Sequence, residues 1–183
     1  MSFNFSDINS NWTLFLDRDG VINVEKDEDY IRNWKEFIFY EQSLQALPLL
    51  AKVFNKIIIT TNQKGVGKKW MTESDLQNIH ENMTSKIESL GGRIDHIFYC
   101  TDLDNDSINR KPQPGMAYQA KALFPEIDFS TSIIVGNRMS DMLFGRNAGL
   151  HTVFLATTHP ETPFPDANID YRFNTLLDFA NSL

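Results

Sequence analysis

Two aspartates, Asp17 and Asp19, follow the apolar run Thr13–Leu16 and precede Gly20. Strand side chains alternate between faces, so residues two apart point the same way wherever the extended backbone continues through them. Two carboxylates held together repel unless a cation or a shared proton offsets their charge. Gly20 lets the chain turn away from a crowded point. The combination suits a divalent metal, an anionic substrate and a carboxylate that attacks as a nucleophile. Alone, an Asp-x-Asp pair also reads as an acidic strand end bonded to neighbouring loop amides.

Two further apolar runs, and one proline-bearing loop, carry polar groups of complementary type. Lys56–Thr60 leads into Thr61, Asn62 and Gln63, with Gly65 and Gly67 behind them. A hydroxyl, amides and loose backbone N–H groups suit phosphate oxygens, and also an ordinary turn or helix cap. Between Asn109 and Gly115, Arg110 and Lys111 are followed by Pro112 and Pro114. A planar fork and a compact point charge can neutralise phosphate in different ways; the alternative is a solvated basic pair. After Ile133–Val135 come Gly136, Asn137 and Asp141. Asn137 offers a metal a neutral oxygen, and Asp141 offers charge directly or through another ligand. Asp141 also suits the first turn or N-cap of a helix.

The elements needed to position these groups are visible in the apolar pattern. Thr13–Leu16, Lys56–Thr60, His96–Cys100, Ser132–Val135 and Thr152–Leu155 read as buried strands of a parallel sheet. Helical spacing spans Glu41–Phe54, with Pro48 as a point of kinking. Thr72-Glu-Ser-Asp75 forms a capping-box pattern that opens a helix running to Leu90, stopped by Gly91 and Gly92. Met116–Leu123, Asp141–Ala148 and Leu176–Leu183 are further helices. Strand alternating with helix predicts a doubly wound, three-layer α/β domain of Rossmann-like type spanning residues 1–183, with ligands at the carboxyl ends of the strands. The polar, aromatic stretch Val21–Phe39 is expected to form a flap, and Thr157–Asp170, with three prolines, a loop.

The chain has 183 residues, of which 42% are hydrophobic and 22% charged, as expected of one globular domain. Its net charge of −7 argues against a nucleic-acid backbone as the main ligand, because phosphate tracking needs a basic surface. One cysteine, Cys100, excludes an internal disulfide. No secretory signal or membrane-length apolar run is seen, so a cytoplasmic protein without a membrane partner is expected.

Asp17-Arg-Asp-Gly20, Thr61 at a strand end, Lys111 before Pro112 and Gly136-Asn-x-x-x-Asp141 fall in the order of the haloacid dehalogenase superfamily of phosphohydrolases, which the chain resembles from about Leu14 to Leu155. Asp17-Arg-Asp-Gly-Val-Ile-Asn23, Thr61-Asn-Gln63 and Arg110-Lys-Pro-x-Pro-Gly-Met116 are similar to the subgroup that contains heptose bisphosphate and histidinol-phosphate phosphatases. About fifty residues separate Thr61 from Lys111, which leaves little room for a cap domain and fits the capless form. The resemblance implies that Asp17 is the nucleophile, forming an aspartyl-phosphate. Asp19 would be the general acid and then the base, its pKa raised by the neighbouring carboxylate. Mg²⁺ would be held by Asp17, the Asp19 backbone carbonyl and Asn137, with Asp141 also among the metal residues. Thr61 and Lys111 would bind the phosphoryl group, Arg110 the distal part of the substrate, with Asn62 and Gln63 as loop donors. A sugar bisphosphate is the implied substrate, heptose 1,7-bisphosphate first and histidinol phosphate as the rival; a non-catalytic phosphate binder is the reading from another class. The product would feed assembly of bacterial surface heptose, and the protein would act as a monomer.

The chain departs from the family in two places. Asn137 stands where the family has Asp, which predicts weaker metal binding or greater reliance on Asp141. Many relatives carry a zinc site of three cysteines and a histidine before the position of Lys111. Here only Cys100 remains, and one thiolate does not hold four-coordinate zinc, so no structural zinc is expected. His80, His96 and His151 read as structural residues, and His159 as a residue of the proline-bearing loop that could also approach substrate. Lys64, Lys68 and Lys69 add positive potential or a solvated basic stretch, and Trp12, Trp34 and Trp70 read as packing residues, with Trp34 or Trp70 alternatively lining the flap.

Overall fold

Every residue of β1 (Thr13–Leu16) is buried, and its side chains divide between two layers. Leu14 and Leu16 join Ile57, Ile59, Ile133 and Val135 in one apolar cluster. Phe15 points the other way, into a second cluster with Ile58, Ile134, Met116 and Phe144. A strand covered on both faces needs no polar alternation, hence the continuous apolar runs.

The computed structural model describes residues 3–26 and 29–183. In it β1 lies between β2 (Lys56–Asn62) and β4 (Ser132–Gly136). With β3 (His96–Cys100), β5 (His151–Leu155) and β6 (Tyr171–Phe173) the sheet has the order β3-β2-β1-β4-β5-β6, every pair parallel. The helices are α1 (Glu41–Val53), α2 (Lys64–Gly67), α3 (Glu73–Ser89), α4 (Gly115–Leu123), α5 (Met139–Ala148) and α6 (Leu176–Asn181). Leu47 and Leu50 of α1, Ile79 and Met83 of α3 and Phe179 of α6 cover one face. Met116 and Ala120 of α4 and Phe144 and Ala148 of α5 cover the other. The result is a three-layer Rossmann-like α/β fold. The strand order runs outward from β1 in both directions, which opens a crevice at the carboxyl ends of β1, β2 and β4.

Several element ends differ from the sequence expectation. β2 continues through Thr61 and Asn62, because both still pair with β3, opposite Tyr99 and Cys100. Thr61 therefore stands on a strand rather than in a loop. α5 begins at Met139, ahead of its buried acid, and α6 stops at Asn181. Pro48 lies inside α1 and does not end it; the helix continues to Val53. The Thr72 capping box is formed as expected: Asp75 N–H donates to Thr72 Oγ1 at 3.1 Å, and Thr72 N–H donates to Asp75 Oδ2 at 2.8 Å. No helix among the described residues is long and apolar enough to cross a membrane.

The stretch expected as a flap is mostly irregular, with one 3-10 turn at Trp34–Glu36. Asn23 bridges it to Asp19 on one side and Phe39 on the other. Residues 27 and 28 of this stretch lie outside the described residues. Glu25, Lys26, Asp29, Tyr30 and Ile31 wall the crevice.

Candidate active site

The ends of β1, β2 and β4 open onto a cavity of ≈ 330 Å³, and Asp17, Asp19, Thr61, Asn62, Arg110, Lys111 and Asp141 all line it. Past the last residue of β1 the chain stays in register: Asp17 N–H donates to Val135 O at 3.0 Å. The loop before α4 brings in Lys111. Asn62 clamps its backbone, accepting from Lys111 N–H at 3.0 Å and donating to Lys111 O at 3.1 Å. The buried Lys111 ammonium then meets Asp17 Oδ1 at 2.9 Å, Asp141 Oδ1 at 2.7 Å and Thr60 O at 2.7 Å. Two carboxylates and one backbone carbonyl thus surround the buried charge. Asp141 takes the anticipated place in the first turn of α5 and also lines the cavity. Its Oδ2 accepts from Arg138 N–H at the start of α5, and Oδ1 faces Lys111.

Asp19 is held differently. Arg18 Nη2 donates to both its oxygens at 3.0 and 2.9 Å, Asn23 Nδ2 to Oδ1 at 2.9 Å and Gln63 Nε2 to Oδ2 at 2.8 Å. Gln63 Nε2 also donates to Thr61 Oγ1 at 2.9 Å. Arg18 is wholly buried, and its Nη1 reaches Nε2 of His80 at 3.1 Å. Burial, with the Arg18 charge second, pushes His80 down to about 3. The ring is thus neutral and accepts from the guanidinium.

The charges of the two aspartates move apart. Burial, followed by the Asp141 carboxylate, raises Asp17 to about 7 against the pull of Lys111. Burial also pushes Asp19 upward, but the Arg18 charge and the hydrogen bonds from Asn23, Arg18 and Gln63 outweigh it and hold the carboxyl below its ordinary range. This corrects the expectation of a raised Asp19: its oxygens face a ring of donors rather than the neighbouring acid. Burial lowers Lys111, and Asp141 and Asp17 more than reverse that, so its pKa is raised.

These shifts have opposite linkage. Asp17 holds its proton more tightly in the fold than its ordinary value of 3.8, so its contribution to stability is complete below about 3.8 and is lost as pH rises to about 7. Asp19 contributes above its ordinary value and loses that contribution as pH falls through its depressed pKa. Without metal, Asp17→Asn should therefore gain stability relative to wild type as pH rises from about 4 to about 7, read from thermal midpoints in a chelator. A gap independent of pH would contradict the raised Asp17.

Glycine is required at two points of this site. Gly20 has φ +83°, and an added Cβ would lie 2.0 Å from Asn137 Nδ2. A Cβ on Gly136 would lie 2.3 Å from that of Asp141. Gly20→Ala should cost more than about 2 kcal/mol in urea unfolding, from left-handed strain plus the clash; a cost near zero would show that Asn137 can move aside.

Asn137 is fully buried beside Gly20. Its Nδ2 donates to Glu25 Oε2 at 2.9 Å and Thr158 Oγ1 at 2.6 Å, while Oδ1 is buried without a hydrogen-bond partner. Among the described residues no group of three His, Cys, Asp or Glu is placed to hold a metal ion. The donors at hand are instead the Asp17 carboxylate, whose hydrogen bond and ion pair both fall on Oδ1, and the unpartnered amide oxygen of Asn137. An all-oxygen set with one or two carboxylates fits Mg²⁺, which otherwise keeps waters and takes substrate phosphates.

Other expected residues are placed as follows. Gln63 engages its amide hydrogens with Asp19 and Thr61, while Asn62 holds the Lys111 backbone and also lines the cavity. Asp141, expected among metal residues, accepts a hydrogen bond at Oδ2 and pairs in charge with Lys111 through Oδ1, which is otherwise buried without a hydrogen-bond partner. Arg110 lines the cavity with a buried, unpartnered Nη1, and Lys68 lines it beside Trp70 at 4.2 Å. His159 pairs with Glu161 and does not border this cavity. The sequence gives no site role to Glu25, Arg18 or His80. Arg18 sits between the two aspartates, and His80 falls with Leu76, Ile79 and Met83 on the buried face of α3, where a histidine needs a partner.

A family model described as polynucleotide kinase 3 phosphatase matches residues 13–180. The chain belongs to this family, within the haloacid dehalogenase phosphatases. A D-glycero-alpha-D-manno-heptose-1,7-bisphosphate 7-phosphatase of Mycobacterium tuberculosis (strain CDC 1551 / Oshkosh) is 32% identical over 92% of this chain and 90% of its own. A beta-anomer counterpart of Pasteurella multocida is also 32% identical, over 90% of this chain and 92% of its own. The crystal structure of D,D-heptose 1.7-bisphosphate phosphatase from B. bronchiseptica, complexed with magnesium and phosphate, superposes with a TM-score of 0.84 at 26% identity, covering 93% of this chain and 96% of that one. In this haloacid dehalogenase phosphatase the interval from Thr61 to Lys111 holds only α2, α3 and β3 among its regular elements.

Proposed function

We propose that the cavity removes the 7-phosphate of D-glycero-D-manno-heptose 1,7-bisphosphate. The observation that carries the reading is the buried Lys111 ammonium shared by Asp17 and Asp141 on a cavity that Thr61 also lines. The names of the relatives supply the sugar, and both anomers occur among them. The family description concerns a polynucleotide, but a net charge of −7 disfavours tracking a nucleic-acid backbone.

In this reading Asp17 attacks phosphorus and the sugar oxygen leaves, giving an aspartyl-phosphate. Lys111 Nζ and Thr61 Oγ1 bind phosphoryl oxygens as charge develops. Asp141 holds Lys111 in place. Asp19 gives a proton to the leaving oxygen, then takes one from the water that cleaves the aspartyl-phosphate at phosphorus. The negative charge of an arriving phosphoryl group pushes Asp19 up from its depressed pKa and lets it carry that proton. Asp17, the Asp19 backbone carbonyl and Asn137 Oδ1 would hold Mg²⁺, which neutralises phosphoryl charge when bound. Arg110, with its unpartnered Nη1, takes the distal phosphate. Cys100 is buried at the end of β3 without a second thiolate in the chain, so we assign no structural zinc.

The test is phosphate release with Mg²⁺ from both anomers of heptose 1,7-bisphosphate and from histidinol phosphate. One heptose anomer should be favoured by at least about tenfold in kcat/KM over histidinol phosphate, which lacks a second phosphate for Arg110. Equal or better hydrolysis of histidinol phosphate would overturn the substrate.

A further inference from the structure

Residue 137 sits in a hydrogen-bonding environment that suits an amide and not an acid. Asn137 Nδ2 has two hydrogens, and both have acceptors: Glu25 Oε2 at 2.9 Å and Thr158 Oγ1 at 2.6 Å. Glu25 is itself fixed. Its Oε1 accepts from Arg138 Nε at 2.9 Å and Nη2 at 2.6 Å, and its side chain is 14% exposed. Behind the amide stands the Gly20 backbone, close enough that even a methyl group there would collide with it. An amide turned end for end would set its carbonyl oxygen against the Glu25 carboxylate. Only one orientation is therefore stable, and it leaves Oδ1 buried with no partner inside the protein.

We propose that Glu25 is the positioning residue of the metal site: it fixes the Asn137 amide with Oδ1 free to ligate the cation, and it makes asparagine the fitting residue at 137. The inference rests on the reading above that Asn137 Oδ1 faces a divalent ion beside Asp17. An aspartate at 137 would place two carboxylates at hydrogen-bond distance with no donor between them, because Glu25 is the acceptor of that contact. Acid and amide must be complementary across the pair. Either Glu25 faces Asn137, or a glutamine at 25 faces an aspartate at 137. Restoring the acid at 137 alone breaks the complementarity.

The experiment measures Mn²⁺ affinity of the full chain from the free-ion electron paramagnetic resonance signal, with Mg²⁺ in competition. It compares wild type with E25A, E25Q, N137D and the double variant E25Q/N137D, each checked by its thermal midpoint. In the Asn137 background, E25A should weaken Mn²⁺ by about tenfold, the usual effect of losing a residue that orients a ligand. E25Q should recover most of that, since a glutamine side chain still offers an oxygen to Nδ2. N137D should bind no more tightly than wild type despite its added charge. Adding E25Q to it should tighten binding by at least about tenfold, although removing a nearby carboxylate by itself weakens cation binding. An N137D chain that unfolds while the double variant folds would support the same pairing. If N137D alone binds more tightly than the double variant, or if E25A binds like wild type, the proposal falls while the metal site stands. Absence of saturable Mn²⁺ binding to wild type would remove both.

Discussion

Asp17→Asn should lower phosphate release by about four orders of magnitude or more, the scale seen when a nucleophile is removed from a site that acts as a unit. The substitution keeps size and shape. Lys111 retains Asp141 and Thr60 O as partners, so the chain should stay folded. What disappears, in the proposed mechanism, is the atom that bonds to phosphorus. Steady-state assays on the purified variant check the effect. Residual turnover within about tenfold of wild type would mean that water, activated elsewhere, attacks the substrate directly.

Lys111→Met should damage both stability and rate. The ammonium is buried and lies within 2.9 Å of Asp17 and 2.7 Å of Asp141. Removing one member of a buried charged cluster leaves the others uncompensated and typically costs about 3–5 kcal/mol. The rate should fall by about 10²–10³, as when a donor to a developing charge is lost. The stability cost should depend on pH in a definite direction. Lys111 pulls Asp17 downward, so without it Asp17 rises further above its ordinary value. Protonation then relieves the cluster, and the penalty should be smaller near about pH 5 than near about pH 8. Urea unfolding at the two pH values measures this; a larger penalty at the acid end would contradict the arrangement.

The parts of the site that could be read from the chain are those at strand ends. Asp17, Thr61 and Gly136 follow apolar runs buried on both faces, and a parallel sheet necessarily brings such ends to one edge. Lys111 was legible through its prolines and its place in the motif order. Side-chain direction was not. Asn62 and Gln63 carry donors in the right place, yet Asn62 also holds the backbone of Lys111, 49 residues away, and Gln63 turns its donors to Asp19, 44 residues away, and to Thr61. The pKa of Asp19 follows from the same fact. In sequence its neighbour is another acid, and in space it meets Arg18, Asn23 and Gln63. Glu25 was hidden because its two partners lie 112 and 113 residues further on. His80 was read as structural, and it is buried and neutral, but its partner is the arginine that grips Asp19.

The most direct measurement is to trap the covalent intermediate. Wild type would be mixed with heptose 1,7-bisphosphate labelled with ³²P at the 7-phosphate, quenched in acid within one turnover, and split into two portions. The expected result is acid-stable, alkali-labile label on the peptide that contains residue 17 and, after borohydride reduction of the second portion, homoserine at position 17. Turnover at full rate with no label on that peptide, at any quench time, would contradict a nucleophilic Asp17.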